Sequence, residues 1–240
     1  MPVSVRRAAA RLLCPVLLLA SGVAAQAGGD DAPPVPSAAE LAAAGALARP
    51  AFSAHCSACH GADGRGIRAL GAPNLVDAHW VWDDATADGP VPALEDTIRY
   101  GIRSGHAKAR SVTAMPAYGH GGQLGLEPGE IDALVLYVAS LSGDTVDPAA
   151  RRRGHALYAG RANCVECHSA DGTGNADWGA PDLTVSDDGA WIYGRDRASL
   201  RRTIAEGRAG RCPAWIGTLD AATIHALALW LRSGQARPAP

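Results

Sequence analysis

The phrases CSACH at residues 56–60 and CVECH at 164–168 restrict this 240-residue chain more than any other feature. On a helix, positions i, i+3 and i+4 share one face, so the two thiols and the imidazole of Cys-x-x-Cys-His project together. That suits covalent attachment of haem c: Cys56 with Cys59, and Cys164 with Cys167, add to the vinyl groups as thioethers, while His60 and His168 meet the iron. A structural zinc site made from both pairs and a thioredoxin-like dithiol are the competing chemistries. Neither explains a histidine directly after both pairs, so two haem c groups are expected.

The surroundings of the two motifs also repeat, at a period of roughly a hundred residues, which implies two homologous domains. GADGRG answers SADGTG, GAPNL answers GAPDL, Trp80 answers Trp191, TIRYG answers TIAEG, and MPAY answers CPAW. Each copy ends in an apolar pattern at three- and four-residue spacing, IDALVLYVASL and IHALALWLRS, the mark of an amphipathic helix. Strand signals are nearly absent and only 5% of residues are aromatic, so each domain has a thin core that a cofactor would fill. The expected fold is all-α, with haem domains at residues 45–142 and 154–234, linkers at 28–44 and 143–153, and a tail at 235–240.

The repeat sets Met115 against Cys212. Proline follows each and biases it toward extended backbone, as expected of a loop drawn across a haem face. Met115 therefore reads as a sixth iron ligand. For Cys212 three readings stand side by side: a thiolate ligand, a thiol beside an open or differently ligated haem, or a thiol that pairs with another protein. Its sulfur falls one bond length short of a methionine's, about 1.5 Å, and Arg208 and Arg211 would favour the thiolate if they lie close.

A basic cluster (Arg6, Arg7, Arg11), an apolar run from Leu12 to Ala25 and the small residues to Ala27 read as a secretory signal peptide over 1–27, with an uncleaved anchor as the alternative. Export to the periplasm is the expectation. Without that segment 19 basic residues face 24 acidic ones, a net charge of −5 that disfavours nucleic acid. Residues 28–142 hold 7 basic and 13 acidic side chains, whereas 143–240 hold 12 and 11, an asymmetry able to orient a redox partner.

The chain resembles class I cytochrome c. More narrowly, GAPNLVDAHWVW, TIRYGIRSGHAKAR before AMPAYG, and GAPDL through WIYG and TIAEGRAG to PAW resemble the dihaem subunit III of cbb3-type cytochrome c oxidase over residues 45–233. The resemblance implies that the carbonyls of Pro73 and Pro181 orient His60 and His168. It further implies that His60 with Met115 ligates one iron and His168 with residue 212 the other. Implied partners are a cytochrome c donor, a quinol-oxidising complex or the terminal oxidase, with membrane association through a partner or the uncleaved N-terminus. The chain departs from the family in lacking a long membrane-spanning region and in carrying Cys212 where methionine is expected. His/Cys haems occur in sulfur-oxidising cytochromes, so a thiosulfate dehydrogenase type of enzyme is the alternative to a non-catalytic electron carrier. Arg99, Arg103, Trp80, Trp191 and Trp215 are candidates for holding haem propionates or covering haem edges, beside the plainer reading as solvated arginines and core tryptophans. His55, His79, His106, His120, His155 and His225 read as surface or packing histidines.

Overall fold

The computed structural model describes residues 36–82, 90–110, 113–122 and 124–234; the signal-like segment and the tail lie outside them. Eight α-helices occur among these residues: α1 (Ala38–His55), α2 (Ser57–His60), α3 (Pro90–Tyr100), α4 (Pro128–Leu141), α5 (Pro148–Ala159), α6 (Val165–His168), α7 (Arg197–Glu206) and α8 (Ala221–Arg232). Loops and three short 3₁₀ turns join them, with isolated β-bridges but no extended strand in the described residues. The all-α expectation holds.

Helix starts follow local chemistry. Ser37 and Glu40 form a reciprocal capping box before α1. Asp147, Asp196 and Asp220 accept from the amides of Ala150, Ser199 and Thr223 at 2.8, 3.0 and 2.7 Å, which starts α5, α7 and α8. Residues 38–44 and 148–153, expected as linker, are helical because these caps lie further upstream than the apolar pattern suggests.

The sequence halves are not the packing units. α1 packs on α8, and α4 packs on α5, so the first described helix finds the last described one. One core joins Ala44, Ala48 and Phe52 of α1 to Leu227, Trp230 and Leu231 of α8, with Leu94 and Ile98 of α3 against it. The other joins Leu134, Tyr137 and Val138 of α4 to Tyr158 of α5 and to Leu200 and Ile204 of α7. The expected boundaries at 142 and 154 therefore mark the sequence repeat, while the described residues form a single compact unit. The physical reason is the short connection 142–147: two helices joined so closely become antiparallel neighbours. Once α4 has taken α5, α1 is left for α8.

The α4–α5 contact depends on Gly154, where a Cβ would lie 2.2 Å from the Ala133 carbonyl oxygen and 2.5 Å from the Tyr137 Cβ. Gly154→Val forces the helices apart and is expected to destabilise the protein by about 1–3 kcal/mol, the usual range for overpacking. Denaturant titration of the haem-loaded protein measures it; an unchanged midpoint would show that the helices separate freely.

Candidate haem sites

Each Cys-x-x-Cys-His motif forms one helical turn. Cys56 precedes α2 and accepts from the amide of His60 at 2.9 Å; Cys164 precedes α6 and accepts from His168 at 2.9 Å. The imidazoles are oriented alike. His60 Nδ1 lies 3.0 Å from the Pro73 carbonyl oxygen and His168 Nδ1 lies 3.0 Å from that of Pro181, so each ring donates from Nδ1 and Nε2 is left for a metal. Burial holds both imidazoles below the ordinary histidine range, against the opposing effect of these carbonyls, which favours the neutral, ligating form.

No disulfide joins any of the five described cysteines. Burial pushes Cys56, Cys164 and Cys212 up to about 11. No group of three His, Cys, Asp or Glu among the described residues could hold a bare metal ion, so the two thiol pairs do not converge on zinc. Paired thiols with an imidazole held through Nδ1, once in each core, fit covalent haem.

The two sixth-ligand loops cross over. Met115 exchanges backbone hydrogen bonds with Arg208 at 2.9 and 3.0 Å, and the amides of Tyr118 and Gly119 donate to the carbonyls of Ile204 and Ala205 at the end of α7. Cys212 exchanges bonds with Ile102 at 2.9 and 3.0 Å, and the amides of Trp215 and Ile216 donate to Ile98 and Arg99 at the end of α3. Glycine permits both crossings. At φ +70°, a Cβ on Gly207 would lie 2.5 Å from the Met115 carbonyl oxygen; at φ +76°, one on Gly101 would lie 2.4 Å from that of Cys212.

Side chains agree with the backbone. Met115 packs on the core that Cys164 and Val165 also touch. Tyr118 is pushed up to about 12 by burial and then by Cys164 and Cys167. Cys212, in contrast, lies within electrostatic reach of Cys59, and Cys56 feels Cys212. Met115 thus lies on the side of Cys164 and Cys167 and Cys212 on that of Cys56 and Cys59, the reverse of the pairing that the resemblance implies. Each loop stays with the closing helix of its own sequence half, and those closing helices serve the opposite motifs.

The arginines expected to favour a Cys212 thiolate are engaged elsewhere. Arg208 Nε donates to Thr203 Oγ1 at 3.2 Å, and Arg211 Nε donates to the Arg103 carbonyl at 3.1 Å. Arg99 pairs with Glu95 at 3.4 Å, and Arg103 Nε donates to the Gly210 carbonyl at 2.7 Å. Trp191 Nε1 donates to the Val185 carbonyl at 2.9 Å. Trp80 packs on the α1–α8 core under the Arg232 guanidinium, and Trp215 lies beside His55. His225 pairs with Glu95 at 2.7 Å on the outer side of α8, which accords with a surface role. Reading the sequence missed Arg110, whose guanidinium donates to Thr97 Oγ1 and to the Ala93 carbonyl at 2.8 and 2.9 Å. No motif marks it; the only signal was a basic residue shortly after TIRYG.

Comparison with known proteins identifies the family to which both halves belong. Residues 46–142 match the family described as cytochrome c, and residues 149–231 match cytochrome c oxidase, cbb3-type, subunit III. A cbb3-type cytochrome c oxidase subunit FixP of Bradyrhizobium sp. (strain ORS 278) is 42% identical over 197 residues, covering 80% of this chain and 62% of that protein. Subunit CcoP of Azospirillum brasilense is 38% identical over 199 residues, at 80% and 63% coverage. CcoP of Cereibacter sphaeroides is 35% identical over 180 residues, at 75% and 57%. The chain thus spans less than two thirds of the length of these relatives.

Proposed function

Both halves of this chain are cytochrome c domains carrying two covalent haem c groups, and from that we propose that it moves single electrons in a respiratory chain as the dihaem subunit of a cbb3-type oxidase. The observation that carries the reading is the same site built twice, an imidazole fixed by a proline carbonyl, with a sulfur-bearing loop pinned by a backbone exchange in each half. Haem c, when bound, supplies a one-electron iron couple.

The residues do the rest. Cys56, Cys59, Cys164 and Cys167 fix the groups in place, and His60 and His168 are locked in one tautomer by Pro73 and Pro181. Met115 would be the sixth ligand of the iron that His168 holds, and Cys212, carried by the equivalent backbone exchange, would be that of the iron His60 holds, binding as thiolate.

The relatives are oxidase subunits, which favours electron transfer over the thiosulfate-oxidising alternative. No helix in the described residues is long and apolar enough to cross a membrane. We place the haem domains in the periplasm, with attachment to the membrane through the oxidase core or through residues preceding α1.

Purification of the oxidase core from cells that express this chain with a C-terminal tag tests the assignment. The chain should co-purify carrying two haems, and its deletion should lower oxidation of a reduced cytochrome c donor at least tenfold. Full oxidase activity without it, or turnover of thiosulfate by the isolated protein, would overturn the reading.

A further inference from the structure

Four large apolar side chains stand exposed among the described residues: Leu47, Leu70, Trp178 and Ile216. Two of them, Leu70 at 60% and Trp178 at 40%, fall on the same position of the repeat. Each is the last residue of a short 3₁₀ turn, Arg68–Leu70 in one half and Ala176–Trp178 in the other, and each precedes a left-handed glycine, Gly71 or Gly179. Single exposed apolar residues are ordinary on any protein. Two at one place in a duplicated site mark a surface that both copies present to solvent.

The turn that carries Trp178 is braced. Asn175 and Ala180 exchange amide hydrogen bonds at 3.0 Å, and Asn175 Oδ1 accepts from the Asp177 amide at 2.9 Å. Trp82, from the other sequence half, donates from Nε1 to the Ala176 carbonyl at 2.9 Å. The turn also lies inside the loop that holds the second histidine. Before it the Gly174 amide donates to the His168 carbonyl at 3.0 Å, and after it the Pro181 carbonyl accepts from His168 Nδ1 at 3.0 Å. A body seated on Trp178 therefore touches the loop of the His168 site. An indole on a braced turn loses little freedom on contact, and tryptophan is the side chain most enriched where interfaces draw their energy.

The charge around the two turns differs. Residues 56–75 carry two arginines and one aspartate, whereas the matching residues 164–183 carry three aspartates, one glutamate and neither arginine nor lysine. Position by position, Thr173 stands for Arg65, Ala176 for Arg68, Asp177 for Ala69 and Asp182 for Asn74. The turn below Leu70 is moreover tied to the chain's own second half: Arg68 pairs with Asp188 at 2.7 Å, and Tyr193 lies over Gly71. Glu166, Asp171, Asp177 and Asp182 are all exposed, and among the described residues none of the four forms an ion pair. The Leu183 amide donates to the Gly172 carbonyl at 2.7 Å, which joins the segments of Asp171 and Asp182, while Asp177 directly precedes Trp178.

We propose that Trp178 anchors a docking surface for a basic redox protein, a small electron carrier with lysines around its own redox group. The carrier is oxidised there by one electron as the haem on Cys164 and Cys167 is reduced by one. This rests on the dihaem electron-transfer reading above and adds to it the charge of the partner and the haem that it meets. An apolar centre ringed by one sign of charge steers an oppositely charged partner into register. The same acids disfavour an anionic lipid surface as the occupant.

The test mixes the haem-loaded protein with lysine-rich mitochondrial cytochrome c as the carrier and follows electron exchange by stopped flow at several salt concentrations. The wild-type second-order rate should fall as salt rises. Trp178→Ala should lower that rate about tenfold with both haem potentials and spectra unchanged. Asp177→Lys combined with Asp182→Lys should remove most of the salt dependence, and a carrier whose lysines have been succinylated should then react faster than the unmodified one. Leu70→Ala should change the rate by less than about twofold. A rate untouched by Trp178→Ala, or lowered equally by Leu70→Ala, would overturn the proposal. Loss of rate together with shifted potentials would make Trp178 structural and overturn it too. So would a dimer in solution that Trp178→Ala dissolves, since the surface would then belong to a second copy of this chain. The rates are read on the isolated protein, so failure to co-purify with an oxidase core would sink the oxidase assignment and leave this surface standing.

Discussion

Cys212→Met should raise the potential of the haem held by Cys56, Cys59 and His60 by about 0.3 V, within the ~0.8 V that axial ligands control. An anionic thiolate stabilises the ferric state, whereas a thioether favours the ferrous one. The same change should leave the second haem where it is. At 59 mV per decade, about 0.3 V alters the equilibrium between the two haems by about five decades. Potentiometry with electron paramagnetic resonance on both proteins measures this. A wild type with two ordinary high-potential haems, and no response in the variant, would show that the Cys212 sulfur stays off the iron. The structure sharpens where this matters: Cys212 lies with Cys56 and Cys59, so the haem expected at low potential is the one nearer the N-terminus in sequence.

The second large effect is expected from Met115, and its location is the test. Removing Cys164 and Cys167 leaves a protein with one haem, on Cys56 and Cys59. There Met115→Ala should change nothing in the absorption spectrum and Cys212→Met should change it strongly. In the complementary protein, lacking Cys56 and Cys59, Met115→Ala should open the remaining haem so that its reduced form binds carbon monoxide about stoichiometrically. Carbon monoxide binding in the first protein upon Met115→Ala would restore the pairing within each sequence half. The backbone exchange of Met115 with Arg208, and of Tyr118 with Ile204, argues for the crossed outcome.

Much of each site was legible because its chemistry is local. Four residues of helix suffice to bring Cys56, Cys59 and His60 to one face, and GAPNL lies only thirteen residues from the histidine that Pro73 orients. The capping aspartates and the apolar spacing likewise made the helices readable. What could not be read was which closing helix serves which motif. IDALVLYVASL and IHALALWLRS carry nearly the same apolar pattern, so α4 and α8 fit α1 and α5 about equally well by sequence. The decision lies in the reach of residues 142–147 and in the close approach at Gly154, neither of which has a periodic signature. Arg110 was hidden for a related reason: it lies between Gly101 and Met115 in a loop longer than its counterpart between Gly207 and Cys212, so the repeat offers no residue to match it.

The pairing of α1 with α8 also sets an order of events during biogenesis. α4 and α5 are neighbours in sequence and can meet as soon as both have emerged. α1 has to wait for a partner nearly two hundred residues away, a separation that slows closure of its core. The core around the CSACH motif is therefore expected to close only after α8 has been made.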